Sequence, residues 1–116
     1  MNQFRLRRWL TMPLLWWVAS HALAEDAPEF RIEIRDHLFY PAEFDVPANR
    51  KLRLLVINQD ATPEEFESYE LNREKVIVGG ATAVIYIGPL APGEYPFFGE
   101  FNPKTAEGKI MAVEKP

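Results

Sequence analysis

Hydrophobic and polar residues alternate along most of this chain with a period of two. Phe30, Ile32 and Ile34 fall on one side and Arg31, Glu33 and Arg35 on the other, which predicts a half-buried strand. Asp36-His37 breaks the alternation, Leu38-Phe39-Tyr40 leads into Pro41, and Phe44 and Val46 form a second short strand that stops at Pro47-Ala48-Asn49. Pro41 and Pro47 mark edges or bends, because proline has no N–H to donate to a ladder. Residues 51–58 are the most hydrophobic run, and Leu52, Leu54, Leu55, Val56 and Ile57 predict a central strand whose later half is apolar on both faces. A polar turn over 58–63 follows. In residues 64–70, Phe66 and Ser68 oppose Glu65, Glu67 and Tyr69; the proline-led acidic start would suit a helix, but the aromatic alternation favours a strand. Residues 72–75 read as a turn, 76–78 as a short strand, Gly79-Gly80 as a second turn, and 82–87 as a strand with Ala83, Ile85 and Ile87 facing one way. Two more strands flank an aromatic loop over residues 95–108, the first preceded by the turn Leu90-Ala91-Pro92-Gly93. About eight short strands with no long helix predict an all-β Greek-key sandwich.

Composition changes this picture at the N-terminus. Arg5, Arg7 and Arg8 precede an apolar run from Trp9 to Ala19, and Ala22-Leu23-Ala24 offers the small-x-small pattern of a signal-peptidase site. Residues 1–24 are therefore expected to be a signal peptide cleaved after Ala24, with residues 25–116 forming one exported, periplasmic domain. The apolar run is shorter than the ~20 residues of a spanning helix, so no stable membrane insertion is expected after processing. With no cysteine anywhere, the domain has no disulfide framework and must rely on its core. The formal charge of the whole chain is −4, and loss of the three leader arginines makes the mature domain more acidic still. That balance argues against nucleic acid as a partner. Nucleophilic or hydrolytic catalysis also lacks its residues: there is no cysteine, Ser20 and Ser68 are the only serines, and His37 has no recognisable partner.

Several segments, in order, resemble a known family. Phe39-Tyr40-Pro41 with Phe44-Asp45-Val46-Pro47-Ala48, then Val56-Ile57-Asn58, Glu65-Phe66-Glu67, Leu90 to Tyr95, and Phe98-Gly99-Glu100-Phe101-Asn102-Pro103 with Thr105-Ala106 and Gly108 are similar to the cupredoxin-like domains of EfeO-type periplasmic iron-transport proteins and of small FtrB-type components of bacterial ferrous-iron uptake. The resemblance implies a cupredoxin-like sandwich. It also implies a place in iron uptake beside a periplasmic iron-binding protein and a membrane iron permease, with a role in binding, relaying or assisting the oxidation of iron. Laid over a blue-copper protein, Glu65 falls at the first His ligand, Gly99 at the Cys and Asn102 at the second His, so no blue-copper centre is expected. In EfeO-type domains the resemblance implies a Glu-x-Glu metal site, matched by Glu65 and Glu67, with two cysteines whose positions are held here by Phe39 and Gly99. The FtrB-type pattern has His where Asn102 stands.

The residues carry the same suggestion by their chemistry. Glu65 and Glu67, two apart on a strand, share a face with β-carbons roughly 7 Å apart, and the resemblance implies that Glu100 joins them if the aromatic loop lies as in that family. Like charges so placed raise each other's pKa unless a cation lies between them. An all-oxygen set suits Fe(III), Mn(II) or Ca(II), whereas Cu(II) would want a nitrogen, for which His37 is the one imidazole left after processing. The metal candidates are thus Glu65, Glu67, Glu100, His37 and Asn102, with an iron or copper ion as cofactor. Two plainer readings stand beside this one. Glu64, Glu67 and Glu70 would then be a solvated acidic face, and Asn102 a loop-holding amide. The domain as a whole would then be a metal-free interaction module that docks a partner through its aromatic loop. Met111 is expected in the core.

Overall fold

The computed structural model describes residues 27–114, so the expected leader and its cleavage point lie outside the described residues. Nine strands run in chain order: β1 (Glu29–Arg35), β2 (Leu38–Tyr40), β3 (Glu43–Pro47), β4 (Leu52–Asn58), β5 (Glu64–Ser68), β6 (Arg73–Ile77), β7 (Thr82–Ile87), β8 (Gly93–Gly99) and β9 (Glu107–Val113). They form a four-stranded sheet in the order β2-β1-β4-β7 and a five-stranded sheet in the order β3-β9-β8-β5-β6. The all-β sandwich expected from the alternation is what forms, with no helix among the described residues.

The strand beyond the expected eight is β2. It pairs antiparallel with β1 through Arg35↔Leu38, leaving Asp36-His37 as a two-residue loop in which both residues have positive φ, 52° and 64°. That is the hairpin turn whose twist matches its strands, and it is reached here without glycine. Asp60 stabilises it from the β4–β5 loop: its carboxylate accepts the Asp36 N–H at 2.7 Å and the His37 N–H at 2.9 Å. The second departure is β6, which begins at Arg73 rather than Val76, because the chain reverses earlier, with Asn72 at a φ of 58°.

β4 lies between β1, to which it is parallel, and β7, to which it is antiparallel. It is interior to its sheet as expected, but its residues still alternate: Leu52, Leu54, Val56 and Asn58 are buried while Leu55 and Ile57 are half-buried. The core lies between the sheets. Ile32, Ile34, Leu54, Val56, Ile85 and Ile87 of one sheet meet Val46, Phe66, Phe97, Ile110 and Ala112 of the other. Met111 is half-buried on β9 between two inward residues, so it is not a core residue; the strict alternation of that strand turns it outward.

Candidate functional site

The burial pattern of β5 splits its five residues between two environments. Glu64, Phe66 and Ser68 are buried on the inner face, and Glu65 and Glu67 are half-buried on the outer face of the five-stranded sheet. The expected sharing of a face by Glu65 and Glu67 follows from the pleat. Across the hairpin, Glu67 stands in register with Glu74 and Glu65 with Val76. As a result, Glu65, Glu67 and Glu74 can each offer a carboxylate oxygen within 4.8 Å of the others. Glu74 was hidden in the sequence by reading residues 72–75 as a turn. The signal that could have found it is hairpin arithmetic, since a turn centred between Ser68 and Arg73 places residue 74 opposite residue 67.

Glu100 sits at the end of β8, exposed, with its N–H donated to the Glu65 carbonyl at 2.9 Å. It contributes charge to the cluster rather than one of the three converging oxygens. Partial burial first, then the negative charges of Glu74, Glu65 and Glu100, push the Glu67 carboxyl above its ordinary value. A raised folded-state pKa means that the folded domain holds this proton more tightly than the unfolded chain does. The associated stability is present at low pH and lost as pH rises through the folded value. The metal-free Glu67→Gln variant should therefore have a higher melting temperature than wild type at pH 7. That advantage should close as pH falls below the ordinary carboxylate value of 4.5, which paired thermal melts at pH 7 and pH 4 would read.

The other sequence candidates are placed elsewhere. His37 occupies the β1–β2 turn with its Nδ1 3.6 Å from Asp60 Oδ2, outside the converging carboxylates. Asn102 is half-buried in the β8–β9 loop, and its side-chain amide donates to Glu64 Oε2 at 2.8 Å. Glu64, read from the sequence as part of a solvated face, is in fact 1% exposed. It is this residue, and not Glu65, whose carboxylate reaches Gly99 and Asn102, because the strand phase turns residue 64 inward. Glu64 Oε1 also accepts the Phe101 N–H and the Glu65 N–H, each at 2.9 Å.

A blue-copper centre takes a thiolate, two imidazoles and a weak axial ligand. The loop end of this sandwich presents a carboxylate, a glycine and a carboxamide, and the chain has no cysteine. A side chain at position 99 would meet Glu64 at once, since a Cβ there lies 2.5 Å from Oε2. These residues do not fit such a centre. Among the described residues, a set able to hold a cation lies on the outer face, with oxygen-only donors. Beside it the exposed Tyr69 packs edge-on to Phe98 with ring centroids 5.6 Å apart, and a shallow cleft is lined by Glu67, Tyr69, Asn72, Arg73 and Glu74.

Comparison with known proteins gives a consistent result. Residues 9–112 match the family described as the cupredoxin-like domain. An uncharacterized protein of Rickettsia prowazekii (strain Madrid E) is 45% identical over 83 residues, which is 72% of this chain and 66% of that protein, so the match spans just under two thirds of the relative. The metal binding domain of the Streptococcus pneumoniae D39 Cu(I) exporting P-type ATPase CopA, determined with Cu(I), superposes with a TM-score of 0.63 at 18% identity, covering 74% of this chain and 85% of that one. Amicyanin from Paracoccus versutus superposes with a TM-score of 0.59 at 16% identity, covering 77% and 83%. At these identities the solved structures speak for the fold alone. Among the described residues no helix is long and apolar enough to cross a membrane.

Proposed function

The chain belongs to the cupredoxin-like domain family, and from that premise we propose that it is an exported accessory protein of bacterial ferrous-iron uptake that binds a hard cation through Glu65, Glu67 and Glu74. The observation that carries this reading is the convergence of three carboxylates within 4.8 Å on the outer sheet face, with Glu100 adding charge beside them. Placing three anions together costs free energy that a bound cation would reverse, and oxygen-only donors select iron(III) or manganese(II) over softer ions. Its periplasmic location, its pathway, and its work beside an iron-binding protein and an iron permease rest on the EfeO-type and FtrB-type resemblance and on the leader-like first 24 residues.

Isothermal titration with Fe(III), Mn(II) and Cu(II) tests the site. Wild type should bind the hard cations most tightly, and E67Q or E74Q should weaken that binding by at least roughly tenfold, as expected from losing a charged ligand. Control substitution E43Q lies on β3, at the opposite edge of the same sheet, and should leave binding unchanged. Affinity should fall as pH is lowered and the carboxylates take up protons. Equal, weak binding by wild type and E67Q to every metal would refute the cation site. It would favour the second reading, a metal-free interaction module, which the exposed Tyr69 and its packing on Phe98 beside the acidic face support.

A further inference from the structure

The inner end of the sandwich holds an acid that neither the outer carboxylates nor the family's metal chemistry uses. Glu64 is almost completely buried, and among the described residues no lysine, arginine or histidine forms an ion pair with it. Its charge is answered instead by three N–H donors: the backbone of Glu65 and Phe101 on Oε1, and the Asn102 amide on Oε2. A buried carboxylate is tolerated only when such donors are fixed in place, because each is then a charge-assisted bond in a medium of low dielectric. Because a carboxylate only accepts, it also settles which end of the Asn102 amide faces it.

Gly99 gives a second, independent observation. The glycines with positive φ are Gly80, Gly88 and Gly93, so the backbone at 99 does not call for glycine. Space does. A Cβ at 99 would lie 2.5 Å from Glu64 Oε2, 2.6 Å from its Cδ and 2.9 Å from the Ala106 Cβ. The space at Gly99, which stands in register with Phe66 of the neighbouring β5, is therefore filled by the Glu64 carboxylate itself.

We infer that the Glu64 carboxylate replaces a bound metal at this end of the domain: an internal anion, gathered by N–H donors, ties the β8–β9 loop to β5, with Gly99 as its obligate space partner and Asn102 as its neutral donor. The polarity of a metal site is inverted. A cation held by thiolate and imidazoles draws a loop inward by binding anionic or lone-pair ligands, whereas here the anion is covalently part of β5 and the loop supplies the hydrogens. The loop end is thus set without metal, and the β8–β9 loop holds the base of Glu100 beside Glu65 whether or not a cation occupies the outer face. This inference does not depend on the outer-face cation site.

Thermal melts of a double-mutant cycle test it. G99A in the wild-type chain should lower the melting temperature by roughly 5–15 °C through overpacking. In an E64A background the same change should cost less than half as much, the contact with Ala106 accounting for what remains. Equal losses in both backgrounds would overturn the inference. Should E64A fail to fold, a second pair decides: N102D sets two carboxylates face to face and should destabilise the domain, and adding E64Q should recover most of the loss by exchanging donor and acceptor. Failure of E64Q to improve N102D would overturn the inference equally.

Discussion

Replacing Asn58 by Leu should lower the melting temperature by roughly 12–25 °C, although the two side chains are similar in size. Asn58 is the last residue of β4 and is 1% exposed. Its Nδ2 donates to the Thr62 carbonyl at 2.9 Å and the Ile77 carbonyl at 3.0 Å, and its Oδ1 accepts the Asp60 N–H at 3.0 Å. One side chain therefore fastens the end of β4, the loop into β5 and the end of β6. Leucine would strand the Ile77 carbonyl in a buried setting, at about 1–3 kcal/mol, and would also take the partner from the part-buried Thr62 carbonyl and Asp60 N–H. Asn58→Asp should be no milder, because it keeps the acceptor but aims a charge at two carbonyl oxygens. Loosening Asp60 should also release the β1–β2 turn, so the amides of Asp36 and His37 should exchange with solvent faster in both variants. A melting temperature within a few degrees of wild type for Asn58→Leu would show that these bonds are dispensable.

Phe97→Ala should be at least as damaging, with a fall of roughly 15–25 °C corresponding to about 3–5 kcal/mol for emptying an aromatic site in a core. Phe97 is 1% exposed and lies at the centre of three rings. It is stacked on Phe66 at a centroid distance of 5.0 Å and edge-on to Phe39 at 5.0 Å. The ring also covers Gly108, where a Cβ would run into the Phe97 Cζ, so β9 has a glycine because β8 has this phenylalanine. The contrast is Phe101, just beyond β8 in the β8–β9 loop and 48% exposed, whose replacement by Ala should move the midpoint by no more than a few degrees. Denaturant melts of the two variants side by side would check both statements. Similar losses would mean that the loop, rather than the ring cluster, supports the core.

Much of the fold was legible from residue order because a strand's period of two writes burial directly into sequence. Phe30, Ile32 and Ile34, and Ala83, Ile85 and Ile87, could be assigned to a face without knowing what they pack against. The same rule set Glu65 and Glu67 side by side, and the absence of cysteine alone excluded a thiolate centre. Other features depend on which strand lies beside which. Strand β2 exists because Asp60, 23 residues further along from His37, accepts the N–H groups of a turn that local propensity would not have favoured. Glu74 joins Glu65 and Glu67 only through the β5–β6 register, since cross-strand neighbours have no fixed separation in sequence. Glu64 looked like one more charge in an acidic run, and burying it becomes favourable only once Phe101, Asn102 and the empty space at Gly99 are brought over it. Local periodicity therefore determined the class of fold and the orientation of most side chains. Tertiary pairing decided which carboxylates meet, and which one is enclosed, because electrostatic and hydrogen-bonding partners are chosen by proximity in space.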